Sequence, residues 1–168
     1  PVETGYYFFV NAYPEYERLQ GVTKSMRVNK NKNLSWDTTD TLDASQLWYV
    51  EKLGEGRYSI MNVASSEYIG AVEGVSKNVP MTPTHQTDQI FDWLKMYPGQ
   101  FHIYNTLNDT PYHTNEHLSG LGEKGRIVTY TGSGNSCSEW YPRRVTNQEL
   151  IDKLVAQGPQ AILATAME

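Results

Sequence analysis

Hydrophobic and polar residues alternate in three short stretches of the chain that share one pattern. Each stretch opens with Gly, carries Tyr or Phe at its third position and Phe or Ile at its fifth, and ends with Asn. Alternation with a period of two is typical of a β-strand with one buried face. The pattern therefore predicts strands at 5–11, 56–62 and 99–105, and we expect the closing Asn residues to bond nearby backbone. The side chains predicted to face inward are Tyr7 and Phe9, Tyr58 and Ile60, and Phe101 and Ile103.

A tryptophan follows each of these strands and indicates three repeats. Trp48, Trp93 and Trp140 lie near the ends of segments 5–55, 56–98 and 99–145. One repeat of roughly 45 residues cannot bury its own aromatic face, whereas several repeats packed together can. Three such units can close into a barrel and so remove exposed strand edges. We therefore predict an all-β domain over residues 1–145 with three pseudo-symmetric repeats.

The pattern becomes helical at residue 146 and predicts a short C-terminal extension over 146–168. Thr146 and Glu149 have the spacing of a capping box, and the Gly-Pro pair at 158–159 ends the helix. Residues 160–168 are predicted to form a second short helical piece. The apolar face needs a partner, which is either the β-domain or an adjacent domain beyond this sequence. The residues predicted to line that face are Leu150, Ile151, Leu154 and Val155.

Composition limits the class of protein further. The chain has 168 residues, of which 39% are hydrophobic, and this is enough for one packed domain. Its net charge of −5 argues against a nucleic-acid partner. No apolar run approaches the roughly 18 residues that span a bilayer. The single cysteine, Cys137, excludes an internal disulfide framework.

Candidate reactive groups are sparse. His113 and His117 have a spacing that binds metal on a helix, but Pro111 and Gly120 favour a loop there, so we expect no metal. Cys137 is interpreted as a strand residue, and no nucleophile motif is present. We therefore expect no catalysis and no cofactor. A basic cluster is interpreted as part of a solvated hairpin; its members are Lys24, Arg27, Lys30 and Lys32.

The repeats resemble the ricin-type β-trefoil lectin family over about residues 5–145. Repeats of that family end in Gln-any-Trp, which 46–48 matches in full, whereas the second and third repeats keep only the Trp. The resemblance implies a non-catalytic β-trefoil with up to three shallow sugar pockets. It also implies a module of a larger secreted, periplasmic or cell-surface protein that binds a glycan weakly, in a multivalent setting.

The resemblance places one candidate carbohydrate site in the first repeat. Trp36 corresponds to the family's aromatic platform, with Asp37 and Asp40 beside it. Ser45 stands where the family has Asn, and Gln46 follows it. Two interpretations of Trp36 stay open: an exposed stacking surface, or a packed strand residue.

The other two repeats have lost the corresponding residues. The same positions hold Met81 and Ile90 in the second repeat, and Val128 and Cys137 in the third. Tyr130 and Asn135 lie near the third position and form a secondary candidate site.

Three functions are compatible with these observations. The leading hypothesis is a carbohydrate-binding or adhesion module. A second is a diverged trefoil that serves as a spacer or protein-contact module without a sugar site. A third is a protease inhibitor acting through an exposed loop at 78–88, which two prolines would hold extended.

Overall fold

A computed structural model describes residues 2–13, 17–18, 21–72, 77–93, 99, 101–105, 112–114, 125, 127–129 and 139–163. Within these residues the chain forms twelve β-strands, one 3-10 turn and two C-terminal helices, and residues 17–18 are also helical. The strands of the first repeat are β1 (Gly5–Asn11), β2 (Lys24–Val28), β3 (Leu34–Thr38) and β4 (Trp48–Gly54). Those of the second are β5 (Arg57–Asn62), β6 (Tyr68–Ile69), β7 (Met81–Thr82) and β8 (Gln89–Trp93). Those of the third are β9 (Phe101–Asn105), β10 (Tyr112–Thr114), β11 (Ile127–Thr129) and β12 (Trp140–Val145).

Six of these strands close into an antiparallel barrel. β1 pairs with β4, β4 with β5, β5 with β8, β8 with β9, β9 with β12, and β12 with β1. Each barrel strand therefore has a partner on both sides, which removes the unpaired edges that promote aggregation. The first and last strands of each repeat are the ones that enter the barrel.

The middle two strands of each repeat form a hairpin that caps the barrel. β2 pairs with β3, β6 with β7, and β10 with β11. The hairpins also bond to one another: the Leu34 amide donates to the Val79 carbonyl, and the Trp36 amide donates to the Gly125 carbonyl, both at 2.8 Å. The arrangement is a β-trefoil, which confirms the predicted fold class.

The strand register shows the threefold relation between the repeats and corrects the predicted equivalence of one tryptophan. Trp48 pairs with Tyr7 and Asn62, and Trp140 pairs in the same way with Phe101 and Asn11. In the second repeat the residue with this pairing is Gln89, opposite Tyr58 and Asn105. The predicted equivalence of Trp93 is therefore wrong, since Trp93 ends β8 instead of starting it.

Gln89 occupies the position of the tryptophan and also makes the equivalent hydrogen bond. Its amide Nε2 donates to the Ile69 carbonyl at 3.3 Å in the hairpin strand β6. The indole Nε1 of Trp48 donates to the Met26 carbonyl at 3.1 Å in the corresponding strand β2. Both side chains are fully buried, so the hydrogen bond between barrel and hairpin is retained although the ring is lost.

The core lies inside the barrel and under the hairpins. Of the side chains predicted to face inward, five are buried and Phe101 is half-buried against the core. Asn62 is buried and accepts hydrogen bonds from the amides of Ala64 and Ser65, each at 3.1 Å. Asn11 likewise accepts from the Tyr13 amide. These two asparagines therefore bond nearby backbone, as predicted.

The C-terminal extension forms helices α1 (Gln148–Gln157) and α2 (Gln160–Leu163). The N-cap of α1 is Asn147, whose side chain accepts from the Leu150 amide, so the predicted cap at Thr146 is wrong by one residue. An Asn oxygen satisfies one of the four unpaired amides that open a helix. Gly158, with φ of 57°, ends α1 as predicted.

The extension packs on the trefoil. Ile151 and Leu154 are buried, and Leu154 and Ile162 belong to the hydrophobic core cluster. Val155, which was predicted on the same face, is 50% exposed. The predicted apolar face of α1 is therefore narrower than expected. Within the described residues, neither helix has the length and apolar content needed to cross a bilayer.

Candidate functional site

A cleft of about 750 Å³ lies between the first repeat and the helical extension. One wall is the loop that follows β3 and runs to the 3-10 turn at Ala44–Gln46. The other wall comes from the end of α1 and the start of α2. The lining residues are Asp37, Thr38, Thr39, Asp40, Leu42, Asp43 and Gln46 from the trefoil, and Gln157, Gln160 and Ala161 from the extension.

The trefoil wall is held in shape by Gln46, which is buried. Its Oε1 accepts from the Asp40 amide at 3.0 Å, and its Nε2 donates to the Thr38 carbonyl at 3.0 Å. Gln46 lies at the cleft, but these bonds occupy its amide. It fixes the backbone on which Asp37 and Asp40 are carried.

Asp43 and Ser45 also stabilise this loop. Asp43 caps the 3-10 turn, and its Oδ1 accepts from the amide and the hydroxyl of Ser45 at 3.0 and 2.7 Å. The Ser45 hydroxyl also accepts from Nε of the buried Arg27 at 3.2 Å. Ser45 is fully buried. Ser45, which was predicted to belong to the site, therefore supports the loop and presents no polar group to the cleft.

Trp36 is packed and does not form an exposed platform. Its side chain is 2% exposed and pairs across the hairpin with Met26, which is fully buried. The Lys24 ammonium lies 5.0 Å from the centre of the indole ring. Of the two interpretations left open by the sequence, the packed strand residue is the one observed. Trp36 is buried because β3 lies between β2 and the third repeat, where its amide bonds Gly125.

Asp37 and Asp40 offer free acceptor oxygens at the cleft. Asp37 Oδ1 accepts from the Thr38 amide at 2.7 Å, and Asp40 Oδ1 accepts from the Leu42 amide at 2.9 Å. Within the described part of the chain, Oδ2 of neither carboxylate accepts a hydrogen bond. Each aspartate thus bonds a nearby backbone amide through one oxygen and keeps the other oxygen open.

The extension closes the far side of the cleft through Gln157. Its Oε1 accepts from the Ala44 amide at 3.0 Å, and its Nε2 donates to the Leu42 carbonyl at 2.7 Å. This pair of bonds joins the helical wall to the trefoil wall. Gln160 and Ala161 line the cleft beyond it, and the side chain of Leu42 is 54% exposed at its edge.

The charge of the cleft is negative. Its lining residues include three aspartates and no Lys, Arg or His. Open carboxylate oxygens accept hydrogen bonds from vicinal hydroxyl groups, and the exposed Leu42 supplies an apolar contact. Among the described residues, no group of three or more His, Cys, Asp or Glu side chains is arranged to hold a metal ion. The geometry therefore suits a neutral ligand with many hydroxyl groups.

The predicted residues Asp37, Asp40 and Gln46 lie together at this cleft, whereas the helical wall was not predicted from the sequence. Gln157 and its partners Leu42 and Ala44 are separated by more than one hundred residues, so no local pattern links them. The Gly-Pro pair after Gln157 marks the turn between the helices, yet it gives no sign of where they dock. The contribution of the helices to the wall of the cleft is visible only in the three-dimensional structure.

Of the other predicted positions, one is internal and several lie outside the described residues, and His113 lies in strand β10 where a loop was predicted. Met81 is buried in the core cluster. If the count starts at Gln89 instead of Trp93, the second-repeat positions that correspond to Trp36 and Ser45 are Lys77 and Gln86. Both of these residues are exposed. The secondary candidates Tyr130 and Asn135 lie outside the described residues, as do His117 and Cys137.

Two surface predictions need correction. The basic cluster lies on the β2–β3 hairpin, but Arg27 is fully buried and Lys24 is 8% exposed, so only Lys30 and Lys32 are solvated. In the predicted inhibitory loop at 78–88, Val79 is fully buried and Met81 pairs with Ile69. Of this segment, the stretch that is continuously exposed is 83–86.

Comparison with known proteins identifies the fold. No protein-family model matches the sequence, and no curated protein gives a significant match. Many solved structures match. The designed three-fold symmetric protein ThreeFoil superposes with a TM-score of 0.66 at 14% identity, covering 84% of this chain and 99% of its own. The fold is therefore the threefold β-trefoil.

Natural lectins match at similar levels. The ricin B-like lectin of Macrolepiota procera, solved in complex with lactose, has a TM-score of 0.65 at 12% identity and covers 86% of this chain and 99% of its own. A mosquitocidal holotoxin matches with a TM-score of 0.67 at 10% identity over 88% of this chain and 18% of its own. The chain thus has the fold of a ricin-type, lectin-like β-trefoil domain.

Proposed function

We propose that the protein is a non-catalytic glycan-binding module and that the cleft between the first repeat and the extension is its site. The observation that carries the proposal is the pair of open oxygens on Asp37, near the end of β3, and on Asp40, in the following loop. Gln46 fixes the backbone at Thr38 and Asp40. Carboxylates oriented in this way accept hydrogen bonds from neighbouring sugar hydroxyls. The lectin-like fold supports the same conclusion.

The acidic lining favours neutral glycans. Bringing a sialic or uronic acid next to three aspartates would oppose binding by like-charge repulsion, with no basic residue among the lining residues to offset it. We propose that the module acts in a secreted or cell-surface protein, where such glycans are presented. The match to a short part of a much longer toxin chain supports a role as one domain among several.

The test uses variants that change only the open oxygens. In Asp37→Asn and Asp40→Asn, Oδ1 can still accept from the Thr38 or Leu42 amide, while an NH2 group replaces the free acceptor. We expect each to weaken binding about tenfold, the loss typical of a hydrogen bond to a charged group. Asp152→Asn, exposed on α1 and away from the cleft, is the matched control.

The wild-type protein is first applied to an array of neutral and acidic glycans, and hits are measured by calorimetry. Binding to neutral glycans that both cleft variants weaken and the control retains would support the proposal. No binding to any glycan would overturn it in favour of a spacer or protein-contact module. Binding that both cleft variants retain in full would place the sugar site elsewhere.

A further inference from the structure

The cleft has a second wall that the threefold trefoil does not supply. Gln160 and Ala161 of α2 line it opposite the Asp37–Asp43 loop. In a trefoil with three equivalent repeats, a pocket made by one repeat alone would occur up to three times. This cleft exists where the extension meets the first repeat, so its shape depends on residues outside the repeats.

The second wall is fixed in position. Leu154 and Ile162 anchor the two helices in the core on either side of the Gly158 turn. Gln157 bonds both the Leu42 carbonyl and the Ala44 amide at the junction of the two walls. A wall held by buried side chains and by two hydrogen bonds is preorganised, and it therefore costs little conformational entropy when a ligand binds.

Gln160 is the polar group that this wall presents. Its side chain is exposed, and it makes no hydrogen bond within the described part of the chain. An amide of this kind donates and accepts hydrogen bonds with sugar hydroxyls. The cavity of about 750 Å³ lies in the upper part of the range of about 300–1,000 Å³ found for small-molecule sites.

We infer that the extension forms a second subsite, in which Gln160 binds the second residue of a neutral oligosaccharide whose first residue is held by Asp37 and Asp40. This inference rests on the proposed function. It names the ligand class as a neutral glycan of at least two residues, and it makes Gln160 a determinant of ligand length. The subsite adds affinity only for ligands that reach across the cleft.

The test compares matched monosaccharides and disaccharides by calorimetry on the whole chain. The probes are galactose with lactose, N-acetylglucosamine with di-N-acetylchitobiose, and mannose with mannobiose. We expect one disaccharide to bind at least tenfold more tightly than its monosaccharide. Gln160→Ala should weaken disaccharide binding about three- to tenfold, which is the size of one neutral hydrogen bond. It should leave the affinity for the monosaccharide unchanged.

Gln148→Ala is the matched control, since Gln148 is exposed on α1 and does not line the cleft. It should leave both affinities unchanged. If Gln160→Ala leaves the disaccharide gain intact, or weakens both sugars equally, the second subsite is overturned while the proposed function survives. If the wild-type chain binds none of the six sugars and no glycan on the array, the proposed function itself fails, and the subsite with it.

Discussion

The most recognisable residues of the sequence stabilise the fold, and the residues of the candidate site are less conspicuous. Gln46 belongs to the motif that marks the repeat, yet its amide bonds the Thr38 carbonyl and the Asp40 amide. Asn62 donates to the Ser45 carbonyl at 2.8 Å and so joins β5 to the same loop. A buried amide left without such partners would be costly, so these residues are restricted by folding. Asp37 and Asp40 depend on them for their position.

Trp36 gives a direct test of this division between folding and binding. Because its ring is buried in the hairpin core, Trp36→Ala should lower the free energy of unfolding by about 3–5 kcal/mol, measured by urea denaturation. Trp36→Phe should lose less stability and should keep glycan affinity. If Trp36→Phe instead abolishes binding while its unfolding curve matches wild type, the indole contacts the ligand and our assignment of the site is wrong.

Elements that repeat a local pattern were predictable, and elements defined by long-range contacts were not. Alternation located β1, β5 and β9 because each strand has one face in the core. The prediction for Trp93 is wrong because the large aromatic residue of the second repeat stands at the end of β8 and not at its start. In the second repeat the fold keeps the hydrogen bond through Gln89 and not the ring, and a single sequence does not reveal that exchange.

The docking of α1 on the trefoil can be measured with two neighbouring residues. Leu154 is fully buried in the core cluster, whereas Val155 is 50% exposed. Leu154→Ala should lower the free energy of unfolding by about 2–5 kcal/mol, and Val155→Ala should change it by less than about 0.5 kcal/mol. Urea denaturation of both variants gives the comparison. Equal effects would mean that the helix is not held by this face.

At the scale of the whole molecule, a threefold framework carries a candidate site that includes residues from outside the repeats. The barrel pairs every one of its six strands on both sides. The extension then joins its helix α1 to the first repeat through hydrogen bonds of Gln157 to Ala44 and Leu42. The fold could be predicted because its symmetry repeats in the sequence. The candidate site could be predicted only in part, because its helical wall is placed by packing between residues distant in sequence.

The stability of the whole fold should depend on pH through Glu139, which lies just before β12 and is 3% exposed. Burial raises the pKa of its carboxyl group above the ordinary value of 4.5. The buried His102 lies opposite it, with 3.9 Å between Nε2 and Oε1. Since the native pKa is higher than that of the unfolded chain, this group's contribution to stability is present in full below pH 4.5 and is lost as the pH rises through the native pKa.

Glu139→Gln removes that titration while keeping a side chain of similar shape. We expect the free energy of unfolding of the variant, relative to wild type, to increase as the pH is raised from 4.5 to 7. Urea denaturation at several pH values measures the difference. Glu51→Gln, on the exposed face of β4, is the control that makes the same substitution where the side chain is exposed. A flat difference for Glu139→Gln would mean that water reaches its carboxylate in the native fold, contrary to the burial found here.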